Sequence, residues 1–181
     1  MYNRIALCVA LCALAGCAST PQRFFTLDMA PSAQRTGVNI EIQHIRVADP
    51  LLGKQLLIRK SPTELEYYAV GQWASQLDEL LTEKFYAEFG PRTAGTPALH
   101  LSGWLQAFEQ IDLPGGGAEA HIKLTLVFRD PVRSRTEPPL LEKTYELRAP
   151  APAAEAAAVA ETLSRGVEAL AEQIVNDARS L

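Results

Sequence analysis

The sequence predicts an α+β domain, a mostly antiparallel sheet with two helices packed on one face. Two patterns predict it. Apolar and polar residues alternate in short runs such as Val38-Asn39-Ile40-Glu41-Ile42, the two-residue period of half-buried strands. In two other stretches the apolar residues recur every three or four positions: Trp73, Leu77, Leu80, Leu81, Phe85 and Phe89, and later Val159, Leu163, Val167, Leu170 and Ile174. The order along the chain is strands, helix, strands, helix, which layers naturally as helices against one sheet.

The first residues stand apart from this pattern. Arg4 supplies a positive start, and Ile5 to Leu14 is an unbroken apolar run. About ten apolar residues are too few to span a bilayer as a helix, which takes about 20, and they match the core of a secretory signal. Leu14-Ala15-Gly16-Cys17 follows. Small residues before a cysteine form a lipobox, because the thiol accepts diacylglycerol and the freed amine accepts a further acyl chain. The expected division is therefore 1–16 as a removed signal peptide, 17–23 as a lipidated tether, and 24–181 as one periplasmic α+β domain. Two or more acyl chains anchor durably, at about 0.8 kcal/mol per buried methylene. Ala18, where an inner-membrane retention signal would carry Asp, favours the outer membrane. The tether, Ala18 to Arg23 with Pro21 inside it, reaches about 20 Å when extended, so the domain is expected close to its membrane.

Cys8 and Cys12 leave with the signal and Cys17 becomes a thioether, so the mature domain holds no disulfide and must stand on its core. Roughly 165 residues suffice for that in one domain. The chain carries a net charge of −4 and no Lys/Arg cluster. Neither nucleic acid nor an anionic headgroup surface is an expected partner through charge alone.

Phe24-Phe25-Thr26-Leu27-Asp28 is a short strand and Pro31 to Gly37 a polar loop. In the strand that opens at Val38 the apolar phase slips by one, since Ile45 and Val47 continue at odd positions; a bulge near Gln43-His44 is expected. Asp49-Pro50 ends it. Gln55 to Lys60 and Leu65 to Val70 form a hairpin turning at Ser61 to Glu64, although Ser61-Pro62-Thr63-Glu64 also has the form of a capping box. Trp73 opens the first helix and is expected in the core; Gly90-Pro91 closes that helix. Leu99 to Asp112 and Ala120 to Arg129 are longer strands joined by Leu113-Pro114-Gly115-Gly116-Gly117, a hairpin loop rather than a phosphate loop, because no Lys-Ser/Thr follows. Leu141 to Arg148 is the last strand, Ala149 to Pro152 a link, and Ala153 to Ser180 a long helix whose Gly166 implies close packing.

No catalytic constellation is visible. His44, His100 and His121 lie in separate strand segments without metal-ligand spacing, no nucleophile elbow surrounds any serine, and the acidic pairs Glu64/Glu66 and Asp78/Glu79 suit solvated faces. No enzyme activity, catalytic residue, cofactor or metal is expected. If the leucines from Leu99 to Leu105 face the helices, Trp104 and Phe108 point to the other side of the sheet, and one of Tyr67 and Tyr68 must do so too. Such aromatics mark either a partner or oligomer surface or a second minor core under the loops.

With these segments in place, the chain resembles the ABC-type transport auxiliary lipoproteins, the paraquat-inducible protein C-like family. The resemblance is carried by the lipobox at Cys17, by Phe24-Phe25-Thr26-Leu27, by Leu56-Leu57-Ile58-Arg59-Lys60-Ser61 leading to Glu64-Leu65, by Trp73-Ala74-Ser75-Gln76-Leu77, and by Leu170-Ala171-Glu172-Gln173-Ile174 in the last helix. It implies a non-catalytic role beside an MCE-type lipid transport system. In such a system an inner-membrane ABC transporter and an MCE-domain protein move lipid between the two membranes, and the lipoprotein docks the periplasmic assembly at the outer membrane. The implied partners are the MCE-domain protein, the ABC transporter and the membrane itself, with a homo-oligomer as a further expectation. A lipopolysaccharide-assembly lipoprotein, which also packs two helices on a sheet, is the rival reading, and an envelope hydrolase a more distant one.

Overall fold

A computed structural model describes residues 21–31, 38–90, 97–134 and 136–181. The expected signal segment, Cys17, the loop over 32–37 and Pro91 lie outside the described residues. Seven strands form one sheet: β1 (Arg23–Phe25), β2 (Ile40–Val47), β3 (Gln55–Ser61), β4 (Glu64–Trp73), β5 (Leu99–Asp112), β6 (Ala118–Arg129) and β7 (Leu141–Ala151). Two helices, α1 (Leu77–Phe89) and α2 (Ala156–Arg179), lie against it. The long β5–β6 and β6–β7 ladders and the β3–β4 hairpin make the sheet mostly antiparallel.

Three pairings are parallel, β1 with β4, β2 with β5 and β3 with β5. Local alternation could not show this. β5 is long enough for β2 to pair with its first half and β3 with its second, and a short 3-10 turn at Asp49–Leu51 carries the chain from one to the other.

The core lies between the sheet and the helices. From the sheet come Leu101, Leu105, Phe108, Ile122, Leu124, Leu126, Phe128 and Tyr145; from α2 come Val159, Leu163, Val167, Leu170 and Ile174. Gly166 sits where α2 touches the sheet: a Cβ there would come within 2.7 Å of Ile122 Cδ1 and 3.1 Å of Leu147 Cδ2. The missing side chain allows the close approach that the sequence implied. Gly71 does the same at the start of α2, where a Cβ would meet that of Ala156 at 3.0 Å.

Two expectations need correction. Trp73 does not open the first helix. It is the last residue of β4, and α1 begins at Leu77 after an extended Gln76. Its ring is still fully buried, 5.3 Å from that of Phe108. Phe108 in turn does not point away from the helices. An extra residue is inserted between Leu105 and Ala107, where the β5–β6 register shifts, so the parity set by Leu101 and Leu105 reverses before Phe108 and the ring enters the core at 1% exposure. The slip foreseen in β2 is present, between Ile42 and His44.

Smaller differences follow local chemistry. β7 runs through the expected link to Ala151 and contains Pro150, which an edge strand tolerates because one side of its backbone has no partner to lose. α1 buries Lys84 and Glu88 beside its apolar stripe, as an ion pair of 2.7 Å. The β5–β6 loop places Gly115, Gly116 and Gly117 all at positive φ, a path that side chains resist.

Candidate functional site

The helices cover one face of the sheet, and the opposite face is where the expected partner residues belong. Trp104 lies on it, opposite Thr125 of β6 and beside Arg46 of β2 in register, with 49% of its surface exposed. Tyr67 of β4 is 41% exposed, and its hydroxyl donates to the Pro50 carbonyl oxygen at 2.9 Å. That bond fixes the ring against the β2–β3 connection. Tyr68 is half-buried and packs on the core, its hydroxyl donating to the Gln110 side-chain oxygen. Burial and the negative charges of Asp112 and Glu155 raise its phenol to about 12. The structure therefore separates the four aromatics into two surface rings, Trp104 and Tyr67, one half-buried ring, Tyr68, and one core ring, Phe108.

Sequence reading missed Phe24, which lies on the edge strand β1 with 65% exposure. The residues at and just before the start of that strand are tied to the fold. Gln22 Nε2 donates to the Ala69 carbonyl at 3.3 Å, and Arg23 stands over the Phe25 ring at 5.3 Å.

The same reading missed a polar chain on this face that links four strands. Arg59 of β3 grips Glu109 of β5 with two hydrogen bonds, Nε to Oε1 at 2.8 Å and Nη2 to Oε2 at 3.0 Å. His121 of β6 places Nδ1 3.2 Å from Glu109 Oε1 and Nε2 3.0 Å from Glu146 Oε1 of β7. Lys123 Nζ completes it, 3.3 Å from Glu146 Oε2. The groups are strung in a line, and each imidazole nitrogen faces a carboxylate of a different strand. Among the described residues no three such side chains converge as metal ligands would. The geometry suits cross-strand bracing: it satisfies buried charge by pairing and ties β3, β5, β6 and β7 in register.

Glu109 is the buried centre of this chain. Burial alone would raise its carboxyl, but the bonds from His121 and Arg59 outweigh burial and hold it below the ordinary glutamate value. Its contribution to stability is present above the unfolded value of about 4.3 and is lost as pH falls through the lower folded value. Glu109→Gln should therefore flatten the acid side of the stability profile and destabilise the domain at neutral pH by about 2–3 kcal/mol, less than a fully buried pair because Arg59 is nearly a third exposed. Urea unfolding between pH 3 and 7 checks this; superimposable profiles for variant and wild type would contradict it.

Among the described residues no helix is long and apolar enough to cross a membrane. The sequence model of the ABC-type transport auxiliary lipoprotein component family matches residues 25–175. No match is found among curated proteins. Among solved structures the chain is similar to a Xanthomonas campestris protein assigned to family DUF330, with a TM-score of 0.69 and 18% identity over 84% of this chain and 91% of that one. A second solved structure gives a TM-score of 0.68 and 14% identity over 87% of this chain and 99% of that one. At such identities the likeness is one of fold.

Proposed function

The chain belongs to the ABC-type transport auxiliary lipoprotein family, and from that premise we propose that it is the lipid-anchored docking component of an MCE-type lipid transport system at the outer membrane. The match over 151 of 181 residues (25–175) carries the reading, and with it comes association with an ABC transporter. In this reading Cys17 bears the acyl chains and the short tether keeps β1 close to the membrane. The domain catalyses nothing; it holds the periplasmic end of the MCE-domain assembly that the inner-membrane transporter serves. The uncovered sheet face supports this role, because Trp104 and Tyr67 offer large amphipathic rings of the kind that anchor interfaces. The polar chain from Arg59 to Glu146 makes that face rigid, which lowers the ordering cost of association.

A photoreactive side chain placed at position 104 in the membrane-bound lipoprotein tests the assignment. The expected adduct is with the MCE-domain protein. In a separate pull-down without the photoreactive group, Trp104→Ser with Tyr67→Ser should lower recovery of the MCE-domain protein at least about thirtyfold, the equivalent of one interface anchor, with an unchanged thermal melt. Cys17→Ala should abolish acylation and leave an uncut or soluble form. Adducts confined to an outer-membrane β-barrel or to another copy of this chain would overturn MCE docking through this face.

A further inference from the structure

The chain has no long run of Lys and Arg, yet the fold sets two histidines from other strands beside Arg129 and Arg133. A groove of about 680 Å³ opens where β2, β5 and β6 meet residues 130–134 and Pro138. Strand register builds its floor: His44 pairs with Ser102, and His100 with Arg129. The segment after β6 adds Asp130 and Arg133 to the lining. Three separate segments, at His44, at His100 to Ser102 and at Arg129 to Ser134, thus bring two guanidinium groups, two imidazoles and two hydroxyls to one concavity.

The single carboxylate in the lining is already engaged. Asp130 Oδ1 accepts the Val132 N–H at 2.9 Å, and Oδ2 lies 3.7 Å from Arg133 Nε. Glu41 pairs with His100 in register, and its carboxylate accepts a hydrogen bond from Gln43 Nε2 at 3.0 Å. Arg129 is oriented by a 2.8 Å bond from Nη1 to the Glu137 carbonyl. His44 Nδ1 is 3.5 Å from Ser102 Oγ, a contact at the outer limit of a hydrogen bond. The cationic and donor groups therefore outnumber the acceptors facing them.

We propose that this groove binds a phosphate-type anion, either free phosphate or the phosphate of a lipid headgroup. Planar guanidinium forks match phosphate oxygens two at a time, and a partly enclosed wall strengthens the attraction relative to an open surface. The inference does not depend on which transport partner the protein serves, and its test contains no partner.

Full-length lipoprotein in a neutral maltoside detergent and phosphate-free buffer is titrated calorimetrically with inorganic phosphate and, separately, with dihexanoylphosphatidylglycerol. Saturable one-site binding of at least one is expected. Arg133→Gln should weaken it by about tenfold or more, whereas Arg129→Lys, which keeps the charge, should weaken it by only about threefold. Binding of inorganic phosphate alone or of both ligands assigns the site to the phosphate group itself; binding of the lipid alone assigns it to a lipid headgroup with its chains. Absence of saturable binding for both ligands, or equal affinity in wild type and a normally melting Arg133→Gln, overturns the proposal.

Discussion

Trp73→Ala should destabilise the domain by about 3–5 kcal/mol, the range for removing a large aromatic ring from a core. The ring is fully buried and leans on Phe108 at 5.3 Å, with an interplanar angle of 52°. It stands at the end of β4, where Phe25 of β1 is its parallel partner, so its loss opens a void where strands, helix α1 and the core meet. Its Nε1–H is buried with no acceptor among the described residues. Trp73→Phe should therefore cost much less than Trp73→Ala, since it keeps a ring against Phe108 and removes an unpaired donor. Chemical denaturation of both variants checks the order. An unchanged midpoint for Trp73→Ala would show that the ring contributes no packing.

The same residue shows how far the sequence could lead. Its membership of an apolar stripe identified it as core. Helical spacing could not reveal that Trp73 is contributed by a strand, because one large ring can reach the core from either backbone. Phe108 illustrates a different failure. The parity of Leu101 and Leu105 placed it outward, and the inserted residue before Ala107 reversed it. The equivalent slip in β2 was visible because Ile45 and Val47 resume the apolar alternation beyond it. In β5 the only apolar residue to mark the change of phase was Phe108 itself.

Long-range polar partners left no local mark. Glu109, His121 and Glu146 each look like ordinary strand residues facing water, and Arg59 lies 50 positions before its partner. Only the register of four strands makes them one chain of bonds. In the groove, Arg129 and Arg133 are near neighbours in the chain, and it is the register of β2, β5 and β6 that adds His44 and His100 to them. The lipobox proposed at Cys17, by contrast, is continuous in sequence and is read without reference to a fold.

Lys84→Ala should have an effect of similar size to the loss of Trp73, about 3–5 kcal/mol, because it removes one partner of a buried ion pair and leaves the other charge behind. The ammonium has no exposed surface. It lies 2.7 Å from Glu88 Oε1 and 3.1 Å from Glu168 Oε1 of α2, and donates to the Ala30 carbonyl at 3.0 Å. One side chain thus joins α1, α2 and the segment after β1. Burial disfavours its charge, but the bonds to Glu88 and Glu168 prevail and hold it above the ordinary lysine value. This contribution is complete below the unfolded value of about 10.4 and is lost only as pH rises through the higher folded value, so the variant's deficit should stay constant across neutral pH. The more discriminating test is the pair. Lys84→Met with Glu88→Leu replaces both fully buried charges with apolar groups of similar length and should be more stable than Lys84→Met alone, since the buried Glu88 carboxylate is then gone and only Glu168, a third exposed, has lost its ammonium partner. A double variant that loses the full sum of the two single losses would show that the charges act independently and that packing alone, rather than pairing, accounts for the burial of Lys84.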